Sequence, residues 1–459
     1  PPPTPAATTP TPVPNTTVNS QILTEDTTWG LSGSPYLIKG NIRVDEGVTL
    51  TIEPGVDLRF NPGIHLEVLG TLRAIGTASQ RITFESQHTG QGGNWGGICF
   101  QDESSDYGDG SGSVIEYAVI GDGYGECGQA YGNIRIVDSS PKIANNQITA
   151  IETTSIGVIG DAAPLITNNT FSPVAGVSEN EIASFYRIVI ENSAASNEAQ
   201  ITNNIMLGGF YGQNAKATIS GNNISAKYGA GFYCNNESPP CDIDFSSNTI
   251  RPIAGVDLVV GINLNGAVTK FNEPRTGTAV FSGFPAGSQY FDVATGAAGT
   301  SSGNATTTGV TMTLDAPGYS TSNPSSTPWT GTPTGTSVVV GSMAIASQSL
   351  TAGWVTTLAT SVGTTTVAFT YTVPLEGSFS FTDNVIKNAD TGIYLSDIDT
   401  SNSNVTVPTI ARNDFINNTE AVRLNNIPST VTIPVTDSYW GTTDLGEISD
   451  LIYDSLDDF

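Results

Sequence analysis

Carboxylates are the groups in this chain best suited to chemistry, and they gather in one stretch as Asp102, Glu103, Asp106 and Asp109, followed by Asp122 and Glu126. Oxygen ligands spaced by turn residues can hold a hard divalent cation such as calcium. The calcium candidates are Asp102, Asp106 and Asp109, but Asp106-Tyr107-Gly108-Asp109-Gly110 lacks the EF-hand spacing, so a solvated acidic turn is the favoured reading. A lyase acting on a uronate polymer needs calcium carboxylates together with a Lys or Arg placed to take a proton. A glycosidase needs carboxylates across a groove, one of them held protonated. The available bases on the repeat are Arg135, Lys142, Arg187, Lys216, Lys227, Arg251, Lys387, Arg412 and Arg423, and none falls in a run that marks such a site. Two histidines, His65 and His88, leave little for a triad, and the chain has no Gly-x-Ser-x-Gly elbow or phosphate-cradling loop. No residue is assigned a catalytic role, and a non-enzymatic function is favoured over an enzymatic one.

The same acidity narrows the partners. With 43 Asp plus Glu against 16 Lys plus Arg, the formal charge of -27 repels a phosphate backbone, which disfavours nucleic acid and anionic lipid. No segment is apolar for long enough to span a bilayer as a helix. The chain begins at Pro1 with neither Met nor signal peptide, and reads as a processed, exported product located outside the cell or on its surface. Four cysteines support that reading: Cys234 and Cys241 flank a turn-rich stretch that can bring them within bridging distance, leaving Cys99 and Cys127 to pair. Zinc is not favoured, because no Cys-x-x-Cys spacing occurs. Asn15, Asn168, Asn223, Asn236, Asn304, Asn404 and Asn417 each begin an Asn-x-Ser/Thr acceptor site for glycans.

The elements that must position any site are read from a recurring phrase of the form Ile-x-x-Asn-x-Ile. It runs from Ile143-Ala144-Asn145-Asn146-Gln147-Ile148 to Ile410-Ala411-Arg412-Asn413-Asp414-Phe415, and its marker residues are Asn146, Asn169, Asn204, Asn222, Asn248, Asn384 and Asn413. They step by 23, 35, 18, 26, 136 and 29 residues. Repeats of that period are units that must stack to bury their apolar faces. The 50 Gly, 26 Pro and only 13% charged residues suit short strands and polar turns, so the chain reads as all-β. A polar residue repeated at one turn per unit can stack into a ladder of side-chain amides, and these seven asparagines are the expected ladder, with the flanking Ile and Phe as core stacks.

Upstream of the repeats, Val48-Thr49-Leu50-Thr51-Ile52-Glu53-Pro54-Gly55-Val56-Asp57-Leu58-Arg59-Phe60, Leu66 to Leu72 and Ile82-Thr83-Phe84 resemble the entry of secreted right-handed parallel β-helix proteins. Trp95-Gly96-Gly97-Ile98, Ile115 to Ile120 and the closing Tyr439-Trp440-Gly441-Thr442-Thr443-Asp444 fit the same family. The resemblance covers about residues 30 to 252 and 378 to 459 and implies an architecture: a right-handed parallel β-helix. It implies no single activity, because such proteins include lyases, surface proteins and adhesins.

The expected organisation is a Pro/Thr-rich extended arm over 1–20, a first β-helix part over 21–252, an inserted immunoglobulin-like β-sandwich over 253–377, and the last coils over 378–459. Gln21 to Leu37 is expected to cover the open N-terminal end. Ile448, Leu451, Ile452 and Leu456 recur at helical spacing and predict a short C-terminal capping helix. The function expected from this organisation is structural: a cell-surface, filament or surface-layer subunit that self-associates through its arm and solenoid ends. The alternative is a carbohydrate-active enzyme or a carbohydrate-binding adhesin, with polysaccharide as partner. No cofactor is expected beyond calcium at the acidic turn.

Overall fold

The computed structural model describes residues 15–88, 94–108, 110–123, 132–150, 154–173, 185–192, 197–234 and 241–453, and within the insertion it describes the strands alone. Three parallel sheets of 12, 13 and 12 strands, here A, B and C, run side by side along the molecule. The chain visits them in the order A, B, C and then repeats one rung further on, forming a right-handed parallel β-helix. A parallel strand pair needs a long crossover, and here the remainder of each coil supplies it.

Alternation decides which side chains enter the tube. In Thr49–Ile52 of sheet C, Leu50 and Ile52 are buried while the threonines between them face outward. Strict register turns that alternation into continuous stacks, since a slip of one residue would send every inward side chain to solvent. On sheet A the stack runs Tyr36, Leu58, Phe84, Ile120, Ile148, Phe171, Met206, Ile224, Ile250, Ile386 and Phe415, each opposite the next. Sheet C carries a second, Ile52, Ala74, Ile115, Ile143, Ile166, Ile201, Ile219, Phe245, Phe381, Ile410 and Val435. Aromatic rings fill the wider rungs: Phe60 stacks on Trp95 at 4.2 Å, and Phe232 lies 5.8 Å from both Phe245 and Phe381. Each buried Ile or Phe contributes about 1.5–3 kcal/mol relative to exposure.

The insertion leaves the tenth coil between sheets B and C. Lys270–Glu376 forms a separate compact unit, with a six-stranded and a four-stranded sheet. Its spine is a ribbon in which Lys270–Ser282 and Thr364–Glu376 pair antiparallel in unbroken register, Lys270 opposite Glu376 and Ser282 opposite Thr364. The chain exits and returns at one point, where the Gly377 N–H donates to the Thr269 carbonyl at 2.6 Å.

Several expected boundaries move. Pairing begins at Thr16–Val18, inside the segment read as an arm, because Thr-Thr-Val is itself a strand former that docks on Tyr36–Ile38. Gln21–Leu23 and Thr27–Trp29 are strands of the first coil on sheets B and C, so Gln21 to Leu37 builds the tube's first layer and does not lie across its end. The tube also continues past residue 252: Leu258–Asn265 joins sheet B, with Leu258, Ile262 and Leu264 buried. The Asn phrase marks only the corner from sheet C to sheet A and carries no signal for the sheet B strand beyond it. The C-terminal helix, α1, is Leu445–Asp450, capped by Asp444, whose carboxylate accepts from the N–H groups of Gly446 and Glu447. It stops before Ile452, which instead pairs with Val422 and extends sheet B, while Leu456 lies outside the described residues.

Candidate functional site

The seven marker asparagines sit at the corner from sheet C to sheet A and are buried at 0–1% exposure. A residue in the left-handed region precedes each one: Asn145, Asn168, Asn203, Gly221, Ser247, Asp383 and Arg412, with φ between 55 and 68°. That conformation turns the chain sharply and aims the next side chain into the wall of the tube. The Asn222 carboxamide is bonded to the coils on both sides of it. Its Oδ1 accepts from both the N–H and the Nδ2 of Asn204 (2.9 and 3.0 Å), and its Nδ2 donates to the Ile201 carbonyl and to Asn248 Oδ1, both at 2.9 Å.

The same pattern joins Asn146 to Asn169, Asn169 to Asn204, Asn248 to Asn384 and Asn384 to Asn413. The Asn248–Asn384 rung closes across 136 residues of chain at 3.2 Å. The ladder begins where Ala118 N–H donates to Asn146 Oδ1 at 2.8 Å, and ends where Asn413 N–H donates to the Ser438 hydroxyl at 3.1 Å. Every carboxamide of the ladder is thereby paired, which is what the interior demands of polar groups.

The other residues of chemical interest lie apart from one another. Asp102 and Glu103 are exposed on a turn, and Asp106 Oδ1 accepts from the Ser140 N–H at 2.6 Å. Asp109 and Glu126 lie outside the described residues, and among the described residues no three His, Cys, Asp or Glu converge as a cation site. Cys234 and Cys241 form a disulfide, with Cα atoms 6.2 Å apart, that closes the corner from sheet B to sheet C in the ninth coil. Cys99, buried on sheet B, is also disulfide-bonded, and its expected partner Cys127 lies outside the described residues. Of the glycan acceptors, Asn15, Asn168, Asn404 and Asn417 are exposed, whereas Asn223 is half-buried with an Oδ1 that has no hydrogen-bond partner. Asn304 lies in strand Gly303–Thr306 of the insertion, and Asn236 lies outside the described residues. No helix among the described residues is long and apolar enough to cross a membrane.

Carboxylates do gather on the outer face of sheet A. Asp57 is bonded to Arg59 at 2.7 Å, and Glu85 stands opposite Arg59 on the next coil, with Asp122 one coil further along. Burial, and then the charges of Asp122 and Asp57, hold the Glu85 carboxyl above its ordinary range, and burial does the same to Asp122. Asp122 belongs to the acidic stretch evident in the sequence, whereas Glu85 stands outside it and is missed by that criterion. The alternation Ile82-Thr83-Phe84-Glu85-Ser86, which places Glu85 outward, is the signal that could have found it.

The two ends of the tube differ. Among the described residues, no strand pairs with the outer edges of Thr16–Val18, Gln21–Leu23 and Thr27–Trp29. Close by, Ile22 is 56% and Leu31 50% exposed. At the far end Trp440 stacks on Phe415 at 5.3 Å. Among the described residues an open cavity of about 870 Å³ lies there, lined by Val422, Leu424, Val435, Trp440 and Ile452 and by the polar Asp397, Asp399, Asn425 and Asn426. No protein-family model, curated protein or solved structure matches this chain.

Proposed function

We propose that this protein is an extracellular structural subunit of a cell-surface array or filament, and that copies join end to end along the solenoid axis. The observation that carries the reading is the pair of unlike ends among the described residues: parallel strand edges with no partner strand at the first coil, and a mouth of about 870 Å³ with an apolar wall and a polar rim at the last. Exposed strand edges are templates for pairing, and joining one end of a subunit to the opposite end of the next makes a heterologous contact that propagates as a fibre. The disulfides support a place outside the reducing cytosol. The Pro/Thr-rich residues 1–14, ahead of the first strand, are a second attachment element in this reading.

Negative-stain electron microscopy and light scattering of the native protein over rising concentration test the proposal. Rods lengthening in units of one solenoid are expected, with Ile22→Lys and Val422→Asp, at opposite ends, each shortening them. Monomers that persist at the highest concentration would falsify the reading.

A second reading, an enzyme acting on polysaccharide, is favoured only by Glu85 and Asp122, two half-buried carboxyls held above their ordinary range, as acid catalysts are. Turnover of acidic or neutral polysaccharides, with or without calcium, that disappears in Glu85→Gln would select it.

A further inference from the structure

Side chains on the outer face of a coil contribute nothing to filling the tube, so large aromatic groups there need another explanation. On sheet B, coils seven to nine carry four tyrosines facing outward. Tyr186 comes from Tyr186–Glu191, Tyr211 from Gly209–Gln213, and Tyr228 and Tyr233 from the two ends of Tyr228–Tyr233. The rings of Tyr186 and Tyr211 lie 5.2 Å apart with their planes inclined by 33°. Tyr228 and Tyr233 are 38% and 39% exposed.

Glycine makes this arrangement possible. Tyr186 stands opposite Gly209 and Tyr211 opposite Gly231, each on the next coil. A Cβ at Gly209 would meet the Tyr228 and Gly229 carbonyl oxygens at 2.2 and 2.6 Å and Tyr186 Cδ1 at 2.9 Å. One at Gly231 would sit 3.3 Å from Tyr211 Cδ2 and 3.5 Å from Tyr186 Oη. Both rings therefore lean over a neighbouring strand that has no side chain in the way. Beside them runs a polar row in register, Gln213 opposite Tyr233 opposite Asn265. The Tyr211 hydroxyl reaches Gln213 Oε1 at 3.5 Å.

We infer that this face of sheet B is a binding platform for a neutral polysaccharide, with Tyr186 and Tyr211 as its stacking surface and Gln213, Tyr233 and Asn265 as its hydrogen-bonding row. A sugar ring presents an apolar C–H face and a rim of hydroxyls, and the platform offers the complement of each: flat rings, and amides with phenolic hydroxyls at their edge. Tyrosine loses little conformational entropy on contact, which suits it to a preformed surface. The rungs are spaced at about 4.8 Å by backbone hydrogen bonding, so the surface is rigid and regular, as a polymer requires. Charge selects against acidic glycans. The chain carries -27 overall, and Glu191 lies near enough to Tyr211 for its carboxylate to help raise the phenol's pKa, after burial.

The platform is independent of the ends of the tube, so its test does not depend on assembly. Titration calorimetry of the full chain against hydroxyethylcellulose, xyloglucan, mannan and soluble chitin oligomers, with polygalacturonate as the acidic comparison, is the experiment. Binding to at least one neutral polymer is expected, weakened about tenfold or more by Tyr211→Ala and Tyr233→Ala, the scale of one central aromatic contact. Tyr211→Phe is expected to keep most of the affinity. Gly231→Val, which displaces the ring without removing any tyrosine, is expected to lose it. Melting temperatures of each variant separate a lost platform from a lost fold, and Tyr233 is exposed enough to be replaced without unfolding. Failure of every neutral polymer to bind, preference for polygalacturonate, or full affinity in folded Tyr211→Ala and Tyr233→Ala would each overturn the inference.

Discussion

The corner from sheet C to sheet A is closed by backbone in the first coils and by side chains in the later ones. Between the second and third coils it is the turn Glu53-Pro54-Gly55-Val56, with Gly55 at φ 81° and the Val56 N–H donating to the Glu53 carbonyl at 3.3 Å. From the fifth coil onward the corner is one left-handed residue and then a buried asparagine that bonds both neighbouring coils. The first device is made of backbone: besides its internal bond, the Glu53 N–H donates to the Trp29 carbonyl at 3.0 Å and the Gly55 N–H to the Gln80 carbonyl at 3.1 Å, on the coils to either side. The second is collective, because each carboxamide satisfies the one before it and is satisfied by the one after. Loss of a side chain in the ladder therefore strands groups on other coils, whereas loss of a side chain in the turn leaves its backbone bonds in place.

The largest effect is expected in the middle of the ladder. Asn222→Ala leaves the Asn204 N–H, one Asn204 amide hydrogen and the Ile201 carbonyl buried without partners, at a cost of roughly 2–5 kcal/mol. Asn146→Ala strands only the Ala118 N–H and the Ile115 carbonyl, so it is expected to cost less. Because Asn204 and Asn222 share bonds, the double replacement should cost less than the sum of the singles by about 0.5–3 kcal/mol. Denaturant unfolding of the four variants and the unsubstituted protein reads all of these, and simple additivity would show that the ladder is a row of independent turns.

Gly55→Ala comes next. Its Cβ would have room, 3.6 Å from the nearest atoms, so the cost is the left-handed backbone alone, about 1 kcal/mol. Combined with Asn222→Ala it is expected to be additive, since the two sites share no partner.

The smallest effect tests charge on the wall in place of hydrogen bonds at the corner. Burial raises the Glu85 carboxyl, with Asp122 and Asp57 adding to the shift, so the folded chain holds that proton more tightly than the unfolded chain does. The stability contributed by this group is present below the unfolded pKa and is lost as pH rises through the folded one. Glu85→Gln is therefore expected to raise the melting temperature slightly at pH 7, with the gain fading as pH falls below the carboxylate range. A gain independent of pH would refute that origin.

Parts of this molecule were legible without coordinates because they are written locally. The Asn phrase repeats at one corner of every later coil, and period-two alternation with Gly and Pro turns is the mark of short strands, so a stacked all-β repeat with an asparagine ladder followed from patterning, and the resemblance of its entry and closing segments implied the parallel β-helix. The boundaries were less legible. Thr16–Val18 and Leu258–Asn265 bear no copy of the phrase, and what recruits them is a neighbouring strand that exists only once the coils stack. In the same way Ile452 fits a helical stripe in sequence, yet pairs with Val422 because an open sheet edge lies within its reach.

Side-chain periodicity is a property of the chain, and it determined the kind of fold and which residues face inward. Proximity across coils is a property of the stack. The Asn phrase on both sides of the insertion already set Asn384 as the rung after Asn248; only the stack decided that Glu85 lies beside Asp122 and that Tyr186 and Tyr211 lean over bare glycine. Those contacts depend on how far each loop lets the next rung advance, a distance that sequence spacing of 18 to 136 residues does not encode.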